Sequence, residues 1–429
     1  MVRTRLGALG AAVALVTLSI HAAPAVREVA GPGSVVPGAY LVSLSSGDPA
    51  TVAAEHTRLG VHVDRVFTTA LRGYSAHMTA EVARKVAADP RVQAVTADRR
   101  VQAADQQVPP GIVRSGAGLT DTDPAPGHRE HDVDADIAIL DTGIEIDHPD
   151  LNVVGGVDCV DHGVLGDGPL GAHAASLPGT PTDDPSSYDD TKGHGTHIAG
   201  IAAARDNGIG VVGVAPGARL WAVRVLDSQG DGTLSSLVCG IDWVTAHADV
   251  IDVANMSLSG LDPDKGCNDG GLHEAICRSV AAGVTYTVAA GNDSADASDF
   301  SPAAFDEVIT VSALADYDGK PGGLAAEPLN CPVKDDDFAP FSNYGPAVDL
   351  IAPGVCVLST WIHGGYAELS GTSQSAADVA GAAALYKSKH PEATPAQVRA
   401  ALIAAGSDDW DTSTDPDGDP DPLVDVASF

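Results

Sequence analysis

Ile137-Ala138-Ile139-Leu140-Asp141-Thr142-Gly143-Ile144 is an apolar run that breaks off at an aspartate and a turn. A run so short and so continuously apolar suits a strand buried on both faces of a parallel sheet. Asp141 then ends the strand, and its carboxylate lies at the C-terminal edge of the sheet, where open α/β sheets bind ligands. The pattern recurs at Leu220–Val225, Val250–Met256, Val284–Ala289 and Val308–Val311. Ala-rich stretches at Thr196–Ala204, Leu234–Thr245, Leu272–Ala282 and Thr372–Ser388 predict the covering helices. The expected fold is α/β, a doubly wound and mostly parallel sheet with helices on both faces.

Two further segments carry chemistry. Gly193-His194-Gly195-Thr196-His197 holds two candidate bases, and Ser370-Gly371-Thr372-Ser373 ends in a hydroxyl that opens a helix. A hydroxyl attacks well only when an imidazole takes its proton, and that imidazole needs a carboxylate to fix its tautomer. A serine in the first turn of a helix also sits beside free backbone N–H groups and the positive end of the helix dipole. The two histidines could instead ligate a metal. That would require a third ligand and the glutamate of a His-Glu-x-x-His pattern, and neither is present.

The order Asp141, His194, Ser373 and the wording of all three segments resemble the subtilases, nearest to the proteinase K side of that family. The resemblance runs from about Asp136 to the C-terminus. It implies an Asp141–His194–Ser373 triad, with His194 as base and His197 as a packed residue of the helix that follows. It implies Asn292, in Val288-Ala289-Ala290-Gly291-Asn292, as the second donor to an oxyanion. It makes Ser257, Leu258, Ser259 and Gly260 the strand that pairs with an extended peptide, and that strand with Ala289, Ala290 and Gly291 the wall of a specificity pocket. These walls carry no charge, so apolar or aromatic residues are expected before the cut. The family pattern after the nucleophile is Met-Ala-x-Pro-His, where this chain has Gln374-Ser375-Ala376-Ala377-Asp378. The resemblance also implies a structural calcium ion held by Asp349 with the backbone carbonyls of Asp306 and Val308. The acidic tail Asp415–Asp421 reads as solvated, since Pro420 stands where an EF-hand needs Gly.

Six cysteines fall at 159, 239, 267, 277, 331 and 356, an even number, as suits disulfides in an oxidising compartment. Spacing favours Cys267–Cys277 around one small loop. The family resemblance suggests Cys159–Cys239 and Cys331–Cys356 for the rest.

The remaining sequence sets the context. Arg3 and Arg5, the apolar run Leu6–Ile20 and the small residues Ala22 and Ala25 read as a secretory signal over residues 1–25, too short to span a membrane. Residues 26–104 alternate strand, helix, strand, strand, helix, strand, a small ferredoxin-like α+β unit. It resembles the inhibitor-type propeptide of subtilases, with cleavage expected near Ala103 to Asp105. Residues 105–429 form the expected peptidase domain, with 105–130 read as linker and new N-terminus. Asp161–Asp190 and Asp316–Asp337 read as surface insertions. Residues 24–103 carry 9 Lys/Arg against 7 Asp/Glu, whereas 104–429 carry 13 against 51. The chain's net charge of −34 argues against nucleic acid or an anionic membrane as partner. The expected partners are protein and peptide substrates and the chain's own propeptide. The mature form is expected to be extracellular and monomeric.

Overall fold

The computed structural model describes residues 27–29, 35–68, 71–99, 106–117, 132–160, 182–259, 266–268 and 271–429. The expected signal segment 1–25, the cleavage region at Ala103–Asp105, residues 161–181 of the first insertion, and Gly260 lie outside the described residues.

The N-terminal part comprises β1 (Arg27–Val29), β2 (Val35–Leu44), α1 (Pro49–His56), β3 (His62–Phe67), β4 (Gly73–His77), α2 (Ala80–Ala87) and β5 (Val92–Arg99). Strands β2 to β5 form an antiparallel sheet in the order β3-β4-β2-β5. Its own small core gathers Val42, Val52, Tyr74, Ala76 and Val86. Helix α1 starts where Asp48 accepts the amide of Thr51, and α2 where Thr79 accepts that of Val82. β1 lies apart from this sheet.

The rest of the chain contains α3 (Pro110–Arg114), β6 (Asp136–Asp141), β7 (Val153–Asp158), α4 (Pro185–Tyr188), α5 (His194–Ala203), β8 (Arg219–Arg224), α6 (Leu234–Ala246), β9 (Val253–Met256), α7 (Leu272–Ala281), β10 (Thr285–Ala289), β11 (Ile309–Leu314), β12 (Leu350–Pro353), β13 (Val357–Trp361), β14 (Gly365–Leu369), α8 (Thr372–Lys389) and α9 (Pro395–Ala405). Seven strands form one parallel sheet in the order β12-β11-β10-β9-β6-β8-β7. Alternation along β6 shows why its run is apolar throughout. Ile137 and Ile139 pack into the core beneath α5, α8 and α9, while Ala138 and Leu140 pack into the opposite core beneath α6 and α7. The chain leaves β6 for β7 and β8 on one side and then crosses to β9 on the other. Strand order therefore reverses at β6, and the crevice at the end of that strand is where such sheets bind ligands.

Strands β13 and β14 make an antiparallel hairpin, and β1 pairs antiparallel with β14. Three disulfides, Cys159–Cys239, Cys267–Cys277 and Cys331–Cys356, account for all six cysteines. No helix among the described residues is long and apolar enough to cross a membrane.

The structure adds detail to two expectations. The stretch read as linker and new N-terminus includes the docked helix α3, with Ile112 buried and Gly111 so close to Pro353 that a Cβ there would come within 2.9 Å of the ring. The stretches read as surface insertions carry buried acids. Asp190 is 5% exposed, Asp316 5% and Asp335 fully buried. Backbone amides hold most of their oxygens, whereas Asp316 Oδ2 has no hydrogen-bond partner among the described residues. Asp335 accepts from Tyr317 and Ala325, and Asp316 accepts from Gly319 and lies 3.4 Å from the buried guanidinium of Arg114.

Candidate active site

Asp141 is fully buried at the end of β6. Its Oδ1 accepts the amide of Thr142 at 2.7 Å, and both its oxygens lie 2.8 Å from Nδ1 of His194. With Nδ1–H donated to the carboxylate, Nε2 is left as the basic nitrogen. About a quarter of the His194 side chain is exposed, at 26%. Burial pushes its pKa down, but attraction to Asp141 and the hydrogen bond outweigh that, so the pKa is raised.

His194 is the first residue of α5, and the approach to it is tightly built. Gly193 has φ +101°, and a Cβ there would come within 2.6 Å of the Trp361 ring. Asp190 holds the segment in place. Its Oδ1 accepts the amides of Lys192 and Gly193 and the hydroxyl of Thr142. Its Oδ2 accepts the amide and hydroxyl of Thr196. Sequence reading passed over Asp190. The signal available was an acid four residues before the histidine, at the foot of a helix whose first amides need acceptors.

His197, one turn into α5, is fully buried with Nε2 at 3.1 Å from the carbonyl of Val357 and 3.0 Å from that of Ala367. Burial lowers its pKa to about 3. It is a neutral donor that ties α5 to the β13–β14 hairpin.

Ser373 lies in the first turn of α8, which packs against α5, and is 9% exposed. Its hydroxyl donates to the carbonyl of Ser257 at 3.3 Å. A chain of polar contacts fixes this corner. Thr287 donates to Asn255 Oδ1, Asn255 Nδ2 to Ser257 Oγ, and Ser257 Oγ to the carbonyl of Ser373. Asn255 opens the segment that resembles the substrate-pairing strand, and the structure gives its side chain a supporting role. Helix α8 runs unbroken through Ala377 and Asp378, where the family pattern has Pro-His.

Asn292 follows β10. Its Oδ1 accepts the amide and hydroxyl of Thr372, so the side-chain amide is oriented with Nδ2 as its remaining end. Gly291 has φ +110°, and a Cβ on it would come 3.2 Å from Ser259 Oγ, so the segments after β9 and β10 lie side by side. Ala289 and Ala290 are buried with it. A cleft of about 440 Å³ is lined by His194, Leu226, Leu237, Ser257, Leu258 and Ser259 among others. Its wall also includes Lys192 and Asp231, so it is not wholly uncharged, whereas Ala289 to Gly291 lie outside this cleft.

The calcium expectation at Asp349 is corrected. Arg399 of α9 donates from Nε to Asp349 Oδ1 at 3.0 Å, with Nη2 on the same oxygen, and from Nη1 to the carbonyl of Asp306 at 3.0 Å. Asp349 Oδ2 accepts the amide of Thr310 at 3.0 Å. Two of the three expected donors are thus spent on a cation the chain supplies, and the residues do not fit a calcium ion there. The side chains of Asp316, Asp318 and Asp335 offer oxygens within 4.8 Å of one another.

Comparison with known proteins gives the family. Residues 134–418 match the Subtilase family, and residues 40–104 match Peptidase inhibitor I9. The chain belongs to the subtilase family. It is a serine protease with an inhibitor-type propeptide domain. The chain is 36% identical over 348 residues to an extracellular serine proteinase of Thermus sp. (strain Rt41A), covering 80% of this chain and 73% of that one. It is 34% identical to subtilisin NAT of Bacillus subtilis subsp. natto, covering 76% and 73%. A cold adapted subtilisin-like serine proteinase of known structure superposes with a TM-score of 0.56 at 28% identity, over 74% of this subtilase and 98% of that chain.

Proposed function

We propose that this subtilase is a secreted endopeptidase, made as a self-processing zymogen, that hydrolyses peptide bonds through Asp141, His194 and Ser373. The observation that carries the reading is the buried carboxylate of Asp141 on Nδ1 of His194, which leaves Nε2 able to take a proton. In the reaction the Ser373 hydroxyl turns from the Ser257 carbonyl toward His194 and loses its proton to Nε2 as its oxygen attacks the substrate carbonyl. The negative oxygen that forms is met by Asn292 Nδ2 and by the Ser373 amide at the start of α8. His194 then gives its proton to the departing amine, leaving an acyl-Ser373. Water, deprotonated by the same imidazole, releases the acid.

An extended substrate would pair with the backbone at Ser257 to Ser259, which gives affinity without demanding sequence. Apolar or aromatic residues before the cut are favoured by Leu226, Leu237 and Leu258, which line the cleft beside Ser257 and Ser259. A peptide ester tests this preference against a charged one. The serine assignment is tested by labelling the purified, processed protein with a sulfonyl fluoride and mapping the modified peptide. Label on the Ser373 peptide, with loss of activity in proportion, is expected. Full activity in labelled protein, or label confined to another serine, overturns it.

A further inference from the structure

We propose that the guanidinium of Arg399 takes the place of a bound cation between Asp349 and Asp306, so that this corner of the fold is locked without calcium. Asp349 is nearly buried, with 8% of its side chain exposed, at the turn into β12. The Asp306 carbonyl comes from the turn that leads into β11, and Thr310 lies at the second position of β11. A single positive centre between these groups ties the β11–β12 edge of the sheet to α9. Calcium does this with six to eight oxygens at 2.3–2.6 Å. Here a planar fork does it with N–H donors from all three nitrogens.

The helix is built to deliver that fork. Thr394 and Gln397 form a reciprocal cap at the start of α9, and Pro395 opens its first turn. Val398 and Leu402 are fully buried against the core, which fixes the rotation of α9 and sends Arg399 along its flank to Asp349. The surroundings are acidic. Asp306 acts on Asp349, and Asp421 is pushed up to about 8 by burial and by Asp415, Asp417, Asp349 and Asp419. Without Arg399 the site would be a nearly buried carboxyl group, a backbone carbonyl and further carboxyl groups nearby, the oxygen donors that a divalent cation binds. With Arg399 in place, a divalent ion at the same point would face a fixed positive charge and find its oxygens already engaged.

The test compares melting temperatures of the full processed protein in excess chelator and in millimolar calcium chloride, for the wild type, Asp349→Ala, Arg399→Ala and the double variant. A calcium response carried elsewhere, for example at Asp316, Asp318 and Asp335, cancels in the differences. Arg399→Ala is expected to melt at least about 4 °C lower than the wild type in chelator. Calcium should restore most of that loss, with the added increment absent from the double variant. Asp349→Ala should be destabilised equally in chelator and in calcium. The proposal is overturned if Arg399→Ala shows the same calcium increment as the wild type, or if Asp349→Ala abolishes a calcium increment that the wild type has. Should Arg399→Ala not fold, the wild type and Asp349→Ala pair decides alone.

Discussion

In the proposed triad His194 sets the pH dependence, because only the neutral imidazole can accept the Ser373 proton. Its raised pKa means that kcat/KM should fall as pH drops through that value, on a substrate with no ionising group. A flat profile with the fold intact would contradict the assignment. Asp141→Asn keeps the shape but reverses the hydrogen-bond demand on Nδ1, and should cost roughly 10⁴-fold in kcat. Asp190 acts one step removed. Asp190→Ala leaves three amides and two hydroxyls without their acceptor, and should destabilise by about 3 kcal/mol. It should also lower kcat more than it raises KM, since it loosens the loop that carries His194. An unchanged kcat in the folded variant would limit Asp190 to stability. Gln374, adjacent to the nucleophile, has no thioether. Wild type should therefore lose activity to peroxide more slowly than Gln374→Met, measured at matched peroxide. Equal rates would point to another target.

Helix α8 carries an unusual load among the elements. Asp378, one turn beyond the nucleophile, is 1% exposed, its Oδ1 has no hydrogen-bond partner among the described residues, and burial raises its pKa well above the usual carboxylate range. Asp150 is pushed up to about 7 by burial as well. A carboxyl with a raised folded pKa contributes stability that is fully present below its unfolded value near about 4 and is lost as pH rises through the folded one. Thermal stability should thus decline across the range in which His194 becomes active. Asp378→Asn should flatten that decline, melting a few degrees above wild type at pH 9 and close to it at pH 5. An equal shift at both pH values would show that the carboxylate's charge is not the cause.

The elements also show what the sequence could reveal. β6, β8, β9, β10 and β11 were legible because burial on both faces leaves a run of apolar residues with little interruption. The hairpin Val357–Trp361 and Gly365–Leu369 was not, because its residues are mixed and only partly buried. The three segments bearing Asp141, His194 and Ser373 were legible because each local shape admits few residues. Asp190 and Arg399 were not, since one lies in a polar stretch and the other meets Asp349 from 50 residues away.

At the scale of the whole molecule, the separate core of β2 to β5 and its antiparallel sheet make the N-terminal part a folded unit on the same chain as its target. In the proposed self-processing, tethering would make the first cleavage intramolecular, at an effective concentration that an added substrate cannot match. The contrast in charge adds to this, since a nearly balanced propeptide meets a strongly acidic enzyme. The most direct measurement expresses wild type and Ser373→Ala in a host without extracellular proteases and follows the intact mass of the secreted protein. The account predicts that wild type separates into propeptide and mature enzyme while Ser373→Ala accumulates uncut. Maturation of Ser373→Ala on the wild-type schedule would contradict it.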